Sequence, residues 1–242
     1  MKEVYLILML LALTACNSKK KNTSSLIETK NTEQEIQKRL NGREVVKKLE
    51  ELSYFNLTDS TDLVEVKSEF EKAYTNLNFF QGPAQEESMT FKDNRYFWVD
   101  CEELFEIGGI TTYLDQVKPT FKKLGLKLEY DNEQNQQNQN SWKHSIRLNG
   151  REYSAFDGQF SNQDWGIAYI NFLNMLNFEL KKQDSKEQFY PIACGNAGMF
   201  VLLTPEQFDF VKKNYPNDSA LRFFIGDVRE KERLYRAMSG VD

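Results

Sequence analysis

Residue types that do acid–base or nucleophilic chemistry are scarce here. The chain of 242 residues holds one histidine, His144, and three cysteines, Cys16, Cys101 and Cys194. Metal sites and acid–base catalysis lean on histidine, so a single copy removes many enzyme classes. His144 alternates with Trp142, Ile146 and Leu148 on one strand face. The spacing predicts a buried strand histidine with a hydrogen-bond partner rather than a catalytic one. Cys101 falls in the first turn of an expected helix, whose N-terminus favours a thiolate. Asp100, Glu102 and Glu103 surround it and oppose that ionisation. Around Cys194 the run Cys194-Gly195-Asn196-Ala197-Gly198 is built of small residues. Backbone amides in such a run can approach a ligand or cradle an anion, so Cys194, Gly195, Asn196 and Gly198 are ligand-turn candidates. The plainer expectation is a hairpin turn that uses Gly and Asn for positive φ. Cys194 and His144 could form a Cys–His pair. Cys101 and Cys194 could equally form a disulfide outside the cytoplasm, if they approach closely enough. The clusters Glu86-Glu87, Glu102-Glu103 and Glu230-Lys231-Glu232 read as solvated faces. No EF-hand loop, zinc grouping, Walker loop or Gly-x-Ser-x-Gly occurs in the sequence. No residue is given a catalytic role, and no cofactor or metal is expected.

The elements that must position these residues follow from periodicity and punctuation. Residues 126–130 alternate as a half-buried strand. Residues 133–140, almost pure Gln and Asn, read as a loop. Asn149-Gly150 joins Trp142–Leu148 to Arg151–Phe156 in a two-residue hairpin. That turn sets Ile146 opposite Tyr153 and Arg147 opposite Glu152. Residues 165–182 form an apolar helix with Asn171, Asn174, Asn177 and Lys181 as its polar stripe. A second hairpin joins 189–194 to 199–203, and Thr204-Pro205-Glu206-Gln207 opens a helix with a capping box. Upstream, residues 95–99 read as a strand. Asp100 then caps a short helix with Glu103 as its box partner, and Gly108-Gly109 stops that helix. A further helix over 112–124 contains Pro119 and ends at Gly125.

Toward the N-terminus, Thr32-Glu33-Gln34-Glu35 matches a capping box. The helix it opens is interrupted at Asn41-Gly42 and resumes over 44–52. Another helix after Asp59 places Leu63, Val66, Phe70, Tyr74 and Leu77 at helical spacing, and residues 81–87 close the region as a loop. The charged end, 227–238, reads as helical. The sum is an α+β fold: an antiparallel sheet of about five strands with helices on one face, preceded by a helical annex. The organisation is 1–15 leader, 16–31 tether, 32–80 annex and 90–242 body.

The first residues carry an address. Lys2 is followed by an apolar run from Val4 to Leu13, then the small residues Thr14 and Ala15. This is the order of a secretory signal, too short for a span of roughly twenty residues. Leu13-Thr14-Ala15-Cys16 resembles the lipobox of the bacterial lipoprotein class. The resemblance implies cleavage before Cys16, a diacylglyceryl group on its thiol and a membrane anchor. Two or more acyl chains hold a protein stably. Residues 16–31 are polar and basic, as a tether is, and Lys19, Lys20 and Lys21 can sit against anionic headgroups. Asn17 is not the Asp that retains some lipoproteins on the inner membrane, which points to the outer membrane, periplasmic face.

Composition narrows the partners. Removing 1–15 takes away one Lys and one Glu, so the net charge stays at −5, and nucleic acid is not expected as a partner. With 18 Phe and 11 Tyr there is material for a real core. Three functional classes remain open: an envelope lipoprotein that binds a protein or peptide, an immunity-type protein that neutralises a toxin, and a thiol-dependent hydrolase or transferase using Cys194 with His144.

Overall fold

The computed structural model describes residues 40–73, 79–80, 92–161, 164–193 and 197–218. These belong to one compact unit, Lys38–Asp242. The leader, Cys16, the tether, the box at 32–35, the loop 81–87, residues 194–196 and the helix expected over 227–238 lie outside the described residues.

Helix α1 spans Gly42–Glu51 and α2 Leu63–Ala73, with a 3-10 turn at Tyr54–Leu57 between them. Strand β1 (Tyr96–Asp100) runs into α3 (Cys101–Phe105) and α4 (Gly109–Lys123). Strands β2 (Tyr130–Gln137), β3 (Ser141–Leu148) and β4 (Arg151–Gln159) follow. Then come α5 (Asp164–Lys182), β5 (Gln188–Ala193), β6 (Ala197–Leu203) and α6 (Pro205–Asn214). The α+β class is as expected, but the sheet is not one of about five strands. There are two antiparallel sheets of three strands, ordered β1-β6-β5 and β2-β3-β4. Turn and alternation signals say which neighbours pair; they do not say whether one hairpin joins the next.

Long helix α5 touches both sheets, through β4 and β5. Its supposed solvent stripe does part of this work. Asn171, buried, donates from Nδ2 to the Ala155 carbonyl of β4 at 2.9 Å. Asn177 donates to the Phe189 carbonyl at 2.9 Å and accepts from the Phe189 N–H at 2.6 Å, an imitation of a strand ladder on β5. Asn174 is exposed.

Helices cover both faces of the β1-β6-β5 sheet. On β6, Phe200 and Leu202 enter one core with α4, α5 and the second sheet. Val201 and Leu203 enter another with Val45, Leu49, Phe70 and Val211 from α1, α2 and α6. A strand buried on both faces reads as an unbroken apolar run, as residues 199–203 do. The described part of 32–80 therefore shares a core with β6, and no separate helical annex is seen there.

Local capping explains the helix boundaries. Asn41 accepts from Glu44 N at 3.0 Å and Glu44 returns a bond to Asn41 N at 2.9 Å, so the expected interruption is the N-cap of α1. Gly42 allows the backbone of α2 to pass close by; a Cβ there would meet the Glu71 carbonyl oxygen at 1.8 Å. The expected box at Thr204 and Gln207 opens α6. Arg95 is buried and lies between β1 and the 3-10 turn. Its guanidinium donates to Tyr54 O, Leu202 O and Asn56 Oδ1 at 2.5, 2.9 and 2.6 Å. No helix among the described residues is long and apolar enough to cross a membrane.

Candidate functional site

The most built cluster of polar side chains sits on the buried face of the β2-β3-β4 sheet, against the start of α4. Helix α4 begins at Gly109 behind Gly108, which has a φ of 84° and no capping side chain. Gly108-Gly109 thus opens α4, where the sequence had it stopping α3. Its first N–H groups need an acceptor from elsewhere. Glu133 supplies it, accepting from Gly108 N at 3.1 Å and Thr111 N at 3.0 Å, and from the Thr111 hydroxyl.

A bulge brings Glu133 there. Asp131 pairs with Arg147 and Gln134 with Ser145, so Asn132 and Glu133 together face Ile146. Asn132 has a φ of 54°, a left-handed conformation that Asn tolerates. The Gln- and Asn-rich stretch is therefore strand as far as Gln137, in place of the loop expected over 133–140. These residues have poor strand propensity; pairing with β3 overrides it.

Glu133 Oε1 also lies 2.7 Å from Nε2 of His144, whose ring is fully buried. Burial pushes the Glu133 carboxyl up, but the bonds from His144 and from the Thr111 hydroxyl and N–H outweigh it and hold it below the usual glutamate range. An ionised carboxylate only accepts, so Nε2 carries the proton and neutral His144 leaves Nδ1 as a bare acceptor. That atom has no hydrogen-bond partner. The Trp142 ring stacks on the imidazole, with centroids 5.8 Å apart and planes at 11°. Phe105 meets Trp142 edge-on at 3.9 Å, and Phe156 closes the same small core with Ala168.

His144 is thus the buried, partnered strand histidine that the alternation predicted. The hairpin register holds as well: Ile146 faces Tyr153 and Arg147 faces Glu152, with Asn149 and Gly150 at φ 46° and 83°. A second bulge, at Ala155 of β4, falls beside His144.

Cys101 is placed elsewhere. It is buried at the end of β1, and its Sγ would lie 3.1 Å from a Cβ on Gly198. The same added atom would meet Tyr169 and Val99, each at 2.9 Å, so the absence of a side chain at Gly198 serves packing. Asp100 caps α3 through Glu102 N and Glu103 N at 2.9 and 3.2 Å. The expected Glu103 arm of that box is replaced. Asp100 N donates to the Tyr113 hydroxyl at 2.9 Å, and that hydroxyl donates to Glu103 at 2.5 Å. Burial and the Glu103 carboxylate both push the Tyr113 hydroxyl up, so it stays a donor. Cys194, Gly195 and Asn196 lie outside the described residues; Ala193 before them ends β5, in the other sheet from His144.

Nothing in the sequence marks Glu133 as a partner of His144, since both bulge and contact are tertiary. The one usable signal is the missing cap at Gly108, which calls for a remote acceptor. No group of His, Cys, Asp and Glu among the described residues could hold a metal ion. No protein-family model matches the chain, and no curated protein or solved structure matches it.

Proposed function

We propose that the protein is a bacterial envelope lipoprotein, held at a membrane by a diacylglyceryl group on Cys16, whose α+β body binds a protein or peptide. The observation that carries this reading is the run Leu13-Thr14-Ala15-Cys16 after an apolar stretch. The Asn17 that follows favours the outer membrane, periplasmic face. The body supports a binder over a catalyst. His144 spends one nitrogen on Glu133, and no hydroxyl or thiol among the described residues bonds to the other. Ile107 and Phe160 are 79 % and 41 % exposed, apolar surface of the kind that partners cover.

Mass spectrometry of the natural N-terminal peptide tests the anchor. The expected result is a chain that begins at acylated Cys16. A mature chain with unmodified Cys16, or one still carrying residues before it, overturns the address. Chemical cross-linking in intact cells tests the binding. A specific cross-linked protein or peptide is expected, and turnover by the body with no partner recovered overturns it.

A further inference from the structure

Four buried side-chain polar atoms among the described residues have no hydrogen-bond partner: Thr58 Oγ1, Asn135 Nδ2, Trp142 Nε1 and His144 Nδ1. Such atoms are rare in folded proteins, and each calls for an explanation. Three of the four share one patch. Asn135 stands directly across the ladder from His144. Trp142 lies two residues along β3 on the same face, its ring parallel to the imidazole within 11°. His144 is fully buried and Trp142 is 8 % exposed.

We infer that this patch receives one amide group of a peptide, from its backbone or from an Asn or Gln side chain. The inference rests on the peptide-binding reading of the body and is independent of the Cys16 anchor. The hydrogen-bond inventory selects the group. Glu133 holds the Nε2 proton of His144, so Nδ1 accepts, while Trp142 Nε1 and Asn135 Nδ2 donate. An amide oxygen takes both donated bonds on its two lone pairs, and the amide N–H answers Nδ1. A carboxylate brings no proton for Nδ1 and sits near the Glu133 charge. An ammonium has no acceptor for the two donors. The aromatic walls suit a planar group: Phe105 meets Trp142 edge-on at 72° and lies 5.2 Å from Phe156. At the edge, Phe160 tilts against Trp142 at 6.2 Å, and Ile107 adjoins Gly108, whose N–H binds Glu133. These two exposed side chains give the residues flanking the bound amide an apolar surface to cover.

The test uses the full chain in detergent micelles with its indoles labelled with nitrogen-15. The chain has three Trp, and Trp142→Phe identifies the resonance of interest. Three probes of matched shape are titrated: phenylacetamide, methyl phenylacetate and 2-phenylethanol. Phenylacetamide should move the Trp142 indole resonance saturably. The ester, which has no N–H for Nδ1, should bind about tenfold more weakly. Asn135→Ala, on an edge strand, should weaken phenylacetamide several-fold and leave the thermal midpoint unchanged. An unmoved Trp142 resonance, or an Asn135→Ala chain that binds as before, overturns the inference. Equal binding of 2-phenylethanol overturns the amide assignment in favour of a hydroxyl. A nuclear Overhauser contact from the Trp142 indole N–H to a slowly exchanging water, with no probe bound, overturns it in favour of a structural water. A partner cross-linked elsewhere on the body, with phenylacetamide leaving Trp142 unmoved, removes this site while the binding reading stands.

Discussion

Glu133 receives bonds from Gly108 N, Thr111 N, the Thr111 hydroxyl and His144 Nε2, and so ties an edge strand to a helix start and to the next strand. Its carboxyl is held below the usual glutamate range, so its ionised form stabilises the folded state. That contribution is present above the unfolded value of about 4.3 and is lost as pH falls through the lower folded value. Glu133→Gln cannot accept all of these bonds and should cost about 1–3 kcal/mol at neutral pH, read by urea denaturation. The difference from the parent chain should shrink in acid. A gap that stays constant across that range would show that the charge of Glu133 contributes nothing. Arg95 is a second buried charge, held by the carbonyls of Tyr54 and Leu202 and by Asn56. Arg95→Leu strands those acceptors and leaves buried Asp93 without its cationic neighbour. It should cost about 3–5 kcal/mol in the same assay.

At the scale of elements, close approach at glycines sets how neighbouring helices sit. A Cβ on Gly109 would lie 1.9 Å from the Glu103 carbonyl oxygen, within backbone that cannot swing aside. Gly109→Ala should therefore push α4 away from α3, lower the thermal midpoint and disturb the contact between Gly108 and Glu133. Fluorescence of Trp142, which packs on Phe105 just before that junction, reports the shift. An unchanged midpoint and spectrum would mean that the two helices separate at no cost. Caps act more gently. Asn41→Ala removes the side-chain half of the α1 box and should cost about 1 kcal/mol, read from the urea midpoint.

For the whole molecule, β6 is the shared wall of two cores, with Phe200 and Leu202 in one and Val201 and Leu203 in the other. Neither core keeps its wall if the other melts. Unfolding should be one transition, with tryptophan fluorescence and far-ultraviolet circular dichroism coincident. A chain that begins at Lys38, the start of the compact unit, should unfold at the same midpoint as the full protein in matched detergent. A lower midpoint would place stabilising contacts in residues 1–37.

Local chemistry was readable without coordinates. Asn149 and Gly150 meet the positive φ of a two-residue turn, and that turn dictates the register around His144. Thr204, Pro205 and Gln207 start α6 because every bond of that cap lies within four residues. The apolar period of 165–182 announces α5 in the same way. What no window of sequence contains is the meeting of distant groups. Glu133 reaches His144 through a bulge, in a stretch whose composition says loop. Asn171 and Asn177 look like a wet face until two sheets are seen to flank the helix. Hairpins and caps are decided by torsions and bonds a few residues apart. The division into two sheets, and the carboxylate–histidine contact between them and α4, depend on how separate elements fill space together.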